Sequence, residues 1–217
     1  MSDKTRNILE WVVCIVIAVV LAIIIRHFLI TPTIVQQESM FPTLVNNERL
    51  ILNRWGRTFG QYPSYGDIVT FEAPSKLYVT KDEVDEDYPV AKYEDNPTNI
   101  FSSFTYYVLE IGKTSFIKRV IGLPGDHIEI KNGMVYRNGQ LLDEPYLQSG
   151  VRTDPEVPTD TQYSFTDIVV PEGTVYCLGD NRSRSTDCRA FGCIPLEKIE
   201  GTVVFRFWPL NKFGGIK

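Results

Sequence analysis

The sequence predicts a mainly β protein carried on a single N-terminal transmembrane helix. Three observations support this: one long apolar stretch near the N-terminus, a series of short alternating runs after Pro32, and two Asn-Gly pairs between such runs. The chain has 217 residues. With the apolar stretch set aside, about 185 remain, enough for one domain or for one domain with a small lobe.

The apolar stretch comes first. Trp11–Ile25 is unbroken over 15 residues, Arg26 and His27 interrupt it, and Phe28-Leu29-Ile30 resume it. As a helix, residues 11–30 span roughly 30 Å, the thickness of a bilayer's hydrocarbon core. No small-x-small cleavage site follows Ile30, where the chain runs Thr-Pro-Thr-Ile-Val, and the stretch has no polar face. An uncleaved anchor therefore fits better than a cleaved leader or a buried core helix. Arg26 is near enough to one end to snorkel. Lys4 and Arg6 before the span lean toward a cytoplasmic N-terminus, although Arg26 follows it.

After Pro32, short apolar-alternating runs are separated by Gly, Pro, Asn and Asp. They are 49–53, 67–71, 116–121, 127–130, 134–136, 174–178 and 201–207. Their composition and period predict strands. Asn132-Gly133 and Asn138-Gly139 predict tight hairpin turns, because both central residues of such a turn need positive φ. No long helical period appears after the anchor, apart from a short candidate near 196–199, and the remainder reads as an antiparallel β-domain.

Residues 73–113 look like an insertion. Within 81–95, seven acids (Asp82, Glu83, Asp85, Glu86, Asp87, Glu94, Asp95) face Lys81 and Lys92, so this stretch holds the whole net charge of −5. Such a charge run suits a solvent-facing loop or small lobe, with the aromatic stretch from Ile100 to Ile111 ordered in part. Residues 140–172 read as a second loop-rich excursion. The segment from Arg54 to Tyr65 mixes bases with aromatic rings, as a surface loop with packed rings or a membrane-interface contact would.

Composition excludes some functions. With no excess of basic charge, there is no reason to expect a nucleic-acid partner. The four cysteines, Cys14, Cys177, Cys188 and Cys193, form no C-x-x-C pair and have few histidines near them, so no metal site is expected. Cys188 and Cys193 either form a disulfide in an oxidising compartment or stay as small buried thiols. Only His27 and His127 exist, and a Ser-His-Asp triad would depend on His127 alone. A serine–lysine pair fits the inventory better. Lys118 stands inside an apolar strand; periodicity alone points it outward, whereas burial would disfavour its charge and yield a neutral amine able to act as a base. Ser39, beside Pro42, proves little by itself.

Four blocks, in order behind the anchor, resemble the type I signal peptidases: Ser39-Met-Phe-Pro-Thr-Leu44, Gly66-Asp-Ile-Val69, Lys118-Arg-Val-Ile-Gly-Leu-Pro-Gly-Asp126, and Gly179-Asp-Asn-Arg182 continuing through Ser185, Asp187 and Arg189. Phe205-Arg-Phe-Trp-Pro209 also fits, and only 73–113 falls outside the likeness. The resemblance implies an extracytoplasmic antiparallel β-domain of the signal peptidase type with a smaller β-lobe. The implied organisation is a cytoplasmic tail at 1–10, a plasma-membrane anchor at 11–30 and a catalytic domain at 31–217, with the lobe at about 127–175. It implies that Ser39 is the nucleophile and Lys118 the general base, with no cofactor. It further implies that Ser185 orients the lysine, that Arg119 with Asp180 and Asp187 with Arg189 form supporting ion pairs, and that Val35, Met40 and Ile117 border the substrate pockets. The implied substrates are secretory preproteins cut after small residues at −3 and −1, and the implied setting is the lipid bilayer. Gln37 departs from the Ser or Gly usual two residues before the nucleophile; its amide either helps bind the oxyanion or stays on the surface while the backbone acts alone. Ser183, Arg184 and Cys188 also depart from the family's usual residues. Two other functions stay open: a non-catalytic signal-peptidase-like chaperone for surface-fibre assembly, and a serine–lysine enzyme that cuts itself.

Overall fold

The computed structural model describes residues 3–94, 97, 99–108, 110, 112–154 and 162–216. Asp95 of the acidic run, part of the Asn-Pro-Thr-Asn stretch, Ile111 and residues 155–161 of the second excursion lie outside these.

Helix α1 runs Asp3–Phe28, and its side chains are almost all exposed. From Lys4 to Phe28 it is long and apolar enough to cross a membrane, with none of its most apolar window buried against the protein. The helix ends two residues before the apolar stretch does. Pro32 cannot donate to a helix and disfavours helical backbone at Thr31. Ile30 instead opens a strand, paired with Asn53.

Among the described residues, twelve strands follow. They are β1 (Ile30–Ile34), β2 (Arg49–Asn53), β3 (Ile68–Glu72), β4 (Ser115–Gly122), β5 (His127–Lys131), β6 (Met134–Arg137), β7 (Gln140–Leu141), β8 (Asp167–Val169), β9 (Thr174–Leu178), β10 (Ile194–Pro195), β11 (Ile199–Trp208) and β12 (Gly214–Gly215). The larger sheet has the order β1-β2-β11-β3-β4-β9-β10, with β12 on β11, and the smaller has the order β7-β6-β5-β8. The pairings are antiparallel. Pro32 sits on the edge strand β1, where a missing N–H costs no ladder bond. Both Asn-Gly turns form as expected, with φ of 57° and 78° at Asn132-Gly133 and 54° and 75° at Asn138-Gly139. They fold β5, β6 and β7 into a meander.

One apolar cluster joins the two sheets: Val69, Phe71, Val120 and Tyr176 from the larger meet Ile128, Val135 and Ile168 from the smaller. A second cluster holds Val35, Met40, Leu44, Leu50, Leu52, Ile68 and Val203. The insertion is more than a solvent-facing loop. Its acidic turn is exposed, but Val79 and Ala91 are buried in the first cluster, and Val90 bridges to Cys193. Cys177, Cys188 and Cys193 are free buried thiols, so the alternative of a Cys188–Cys193 disulfide does not form.

Hydrogen bonds tie the domain to the end of α1. Arg54 N–H donates to the Leu29 carbonyl at 2.9 Å, and the Thr58 hydroxyl to the Phe28 carbonyl at 3.0 Å. Trp55 and Phe59 are exposed beside that junction. Arg26 does not simply reach for solvent. It lies 3.6 Å from Glu110 of the insertion, a carboxylate it shares with the buried Arg54.

Candidate active site

The site is built from a turn, a strand and a loop. The turn follows β1. Val35 exchanges backbone hydrogen bonds with Asn47 and Glu48, at 2.8 and 2.9 Å, and Met40 and Leu44 are fully buried in the second cluster. These contacts pin residues 35–44 over one face of the sheet. Ser39 is 5% exposed, and its carbonyl accepts the Asn181 N–H at 3.0 Å.

The strand is β4. Successive side chains in a strand point to opposite faces, so Lys118 and Arg119 leave on different sides, and both are 2% exposed. Alternation alone read Lys118 as facing outward. It is buried, because the 35–44 turn covers the face that the pattern assigns to water. The Lys118 Nζ lies 2.8 Å from Ser39 Oγ, and 5.3 Å from the centre of the Phe116 ring. On the other side, Arg119 makes a two-pronged pair with Asp180 at 2.9 and 2.7 Å and donates to the Gly66 carbonyl at 2.8 Å. The Thr43 hydroxyl also donates to Asp180, which ties the turn that carries Ser39 to the loop after β9.

That loop supplies the rest. Ser185 is fully buried, and its hydroxyl donates to Asp187 at 2.8 Å. Asp187 also accepts from the Gly179 N–H at 3.0 Å and from Arg189 Nε and Nη2 at 2.8 and 2.9 Å. Burial would raise the Asp187 pKa, but the Arg189 guanidinium and the Gly179 N–H hold it below the usual carboxylate value. Arg189 further donates to the Ser185 carbonyl at 3.0 Å, so the serine is fixed at both ends. Gly179 has to be glycine: a Cβ there would overlap the Ser185 side chain and the Ser39 carbonyl.

The residues singled out from sequence thus fall into one place, with graded proximity. Ser39 and Lys118 touch, and both expected ion pairs form. Val35, Gln37 and Ile117 line a groove of about 220 Å³ between the end of β1 and the start of β4. Met40 does not line that groove and lies in the apolar cluster it shares with Val35. Gln37 is exposed. His127 pairs with Asp167 on the smaller sheet and has no part in the site. Among the described residues no cluster could hold a metal ion.

Sequence reasoning missed Arg182, Glu144 and Asn181 as functional supports. Arg182 is fully buried, donates to the Gly179 carbonyl at 3.1 Å and pairs with Glu144. Its partner lies 38 residues away in sequence, so no local spacing could reveal the pair.

Asp187 has a folded-state pKa below its unfolded value, so its contribution to stability is present above the ordinary carboxylate value of 3.8 and is lost as pH falls through the folded value. Asp187→Asn should destabilise the protein by about 3–5 kcal/mol at neutral pH, the scale for breaking a buried pair. Urea unfolding in detergent at neutral pH and below pH 3.8 should show that difference shrinking with acid; a difference that is constant across pH would contradict the assignment.

Known proteins resemble this chain over most of its length. Residues 8–208 match the family model described as signal peptidase, peptidase S26. The chain is 34% identical to signal peptidase I S of Bacillus subtilis (strain 168), over 97% of this chain and 94% of that protein. It is 33% identical to signal peptidase IB of Staphylococcus aureus (strain COL), over 96% and 93%. It is 34% identical to a protein named probable signal peptidase I-1 of Synechocystis sp., over 91% and 81%. A family match across nearly the whole chain, with full-length relatives at a third identity, makes this protein a serine peptidase of the signal peptidase I family.

Proposed function

We propose that this peptidase removes N-terminal signal peptides from secretory preproteins, cutting after small residues at −3 and −1 with a Ser39–Lys118 dyad. The observation that carries this reading is the 2.8 Å approach of Lys118 Nζ to Ser39 Oγ, with both residues nearly excluded from water.

Ser39 Oγ attacks the scissile carbonyl while the neutral Lys118 amine takes its proton. The C–N bond breaks, and Lys118 returns that proton to the departing amine. Lys118 then accepts a proton from water, which attacks the ester, and gives that proton to Ser39 Oγ as the acyl–oxygen bond breaks. Lys118 has to be unprotonated at the start, and its surroundings favour that. Burial disfavours the ammonium form. Asp187 would favour it, but Arg189 already occupies both Asp187 oxygens. Ser185, held between Asp187 and Arg189, keeps the wall beside the dyad in place. The ion pairs Arg119–Asp180 and Asp187–Arg189 hold the turn and the loop in register. Gln37 and the Ser39 N–H stabilise the oxyanion from the groove side. Val35 and Ile117 border the substrate pockets, with Met40 packed beside Val35 in the apolar cluster. A groove of about 220 Å³ suits small side chains.

The organisation that goes with this function has residues 1–10 in the cytoplasm, the N-terminal helix through the plasma membrane, and 31–217 as the extracytoplasmic catalytic domain. Residues 73–113 form an insertion in it and about 127–175 a smaller β-lobe. A fully exposed apolar helix supports the anchor, and Lys4 and Arg6 ahead of it support the orientation.

In detergent, the wild type should cleave a preprotein carrying an Ala-x-Ala site, and Lys118→Ala should lose that cleavage by at least the roughly 10²–10⁴-fold expected of a general base. Equal cleavage by both would refute Lys118 as the base. Gln37→Ala should lower kcat by about 10²-fold, the scale of one oxyanion donor. An unchanged kcat would remove the side chain from the mechanism.

A further inference from the structure

A second groove adjoins the nucleophile, and the dyad chemistry leaves it unused. It measures about 390 Å³ and is lined by Glu38, Phe41, Asn181, Arg184 and Gln148, among others. Ser39 lies between the two grooves along the chain: the first takes in residues up to Gln37, and this one begins at Glu38. A bound substrate must run continuously through the carbonyl held at Ser39 Oγ. In the reading above, its acyl half occupies the first groove, beside Val35 and Ile117. Its amine half therefore leaves across the second.

The chemistry of this groove is specific. Phe41 supplies an apolar surface, and an ion pair between Arg184 Nη1 and Glu38 Oε2 at 3.0 Å supplies the charge. Both side chains are mostly exposed, at 72% and 65%. An exposed pair of this kind contributes little to stability, so a ligand that replaces it meets little resistance. Asn181 fixes the backbone beneath the pair. Its Nδ2 donates to the Glu38 carbonyl and its N–H to the Ser39 carbonyl, each at 3.0 Å. The Glu38 carboxylate thus belongs to the residue next to the nucleophile, where the departing amine emerges. That amine takes its proton from Lys118 as the C–N bond breaks, and then a second from solvent at neutral pH. Glu38 suits the resulting ammonium. Held only by this weak exposed pair, Arg184 can turn its planar guanidinium to a substrate carboxylate as the preprotein binds, with two parallel hydrogen bonds.

Resting on the proposed function, we infer that this groove binds the mature side of the preprotein, and that Arg184 selects an acidic side chain within the first two residues after the scissile bond. The test uses the full chain in detergent and three preproteins that share one Ala-x-Ala site and differ only in the second mature residue, Glu, Gln or Lys. The wild type should favour Glu over Lys by about tenfold in kcat/KM, the scale of one charge-assisted hydrogen bond. Arg184→Ala should level the three substrates, and Arg184→Glu should reverse the order. Unchanged thermal unfolding of both variants shows that the fold is intact. A Glu-to-Lys ratio that is the same in all three proteins would overturn the role of Arg184 and leave the peptidase reading standing. Failure of the wild type to cut any of the three would overturn both.

Discussion

The molecule is organised around one awkward requirement, a lysine amine kept out of water and within 2.8 Å of a serine hydroxyl. Taking an ammonium out of water is costly, and burial favours the neutral amine. That condition requires an interior strand with both faces covered. In the sheet, β4 lies between β3 and β9, and the 35–44 turn closes the face from which Lys118 projects. The turn is held down by Met40 and Leu44, which act as apolar plugs, and by the Asn181 N–H at its apex. Close approach of the loop after β9 then requires Gly179, the residue whose missing side chain lets Ser185 and the Ser39 backbone come together.

Around this amine stand three buried arginine–carboxylate pairs: Arg119–Asp180, Arg189–Asp187 and Arg182–Glu144. Such pairs add little stability over an apolar replacement, because desolvation offsets most of the attraction. Their value here is geometric. A two-pronged guanidinium fixes both distance and plane, and all three pairs include a residue of the 180–189 loop. This loop has almost no regular structure beyond single turns at Arg182–Arg184 and Cys188–Phe191, so ionic contacts set its course. Arg189 also holds both oxygens of Asp187, so the charge of that carboxylate is taken up within the loop.

Much of this was legible in the sequence, for identifiable reasons. β2 matches its alternating run from Arg49 to Asn53 residue for residue, and the two Asn-Gly turns form because only a few residue types tolerate positive φ. Short strands were missed where local signals are weak. β7, β10 and β12 are two residues each, and β1 shares only Ile30 with the apolar stretch that precedes it. In the site, periodicity pointed Lys118 outward, and only the order of the four blocks argued for burial. Alternation reports one sheet's two faces and is silent about a distant turn that folds over one of them. The Arg182–Glu144 pair was invisible for the same reason. The docking of Val79 and Ala91 of the acidic insertion into the core could not be read from a run whose charge dominates its composition.

The central claim is that the Lys118 amine, neutral and facing Ser39, is the base. It is tested most directly by changing the basicity of that one nitrogen while keeping its reach. Lys118→Cys, alkylated to an aminoethyl thioether, restores the amine with a sulfur that withdraws electrons and makes it easier to deprotonate. Wild type treated with the same reagent is the control for the native cysteines. Alkylation should rescue preprotein cleavage, and the acid limb of the kcat/KM pH profile should move to lower pH. Rescue with an unmoved acid limb, or activity in the Lys118→Cys protein before alkylation, would contradict the claim.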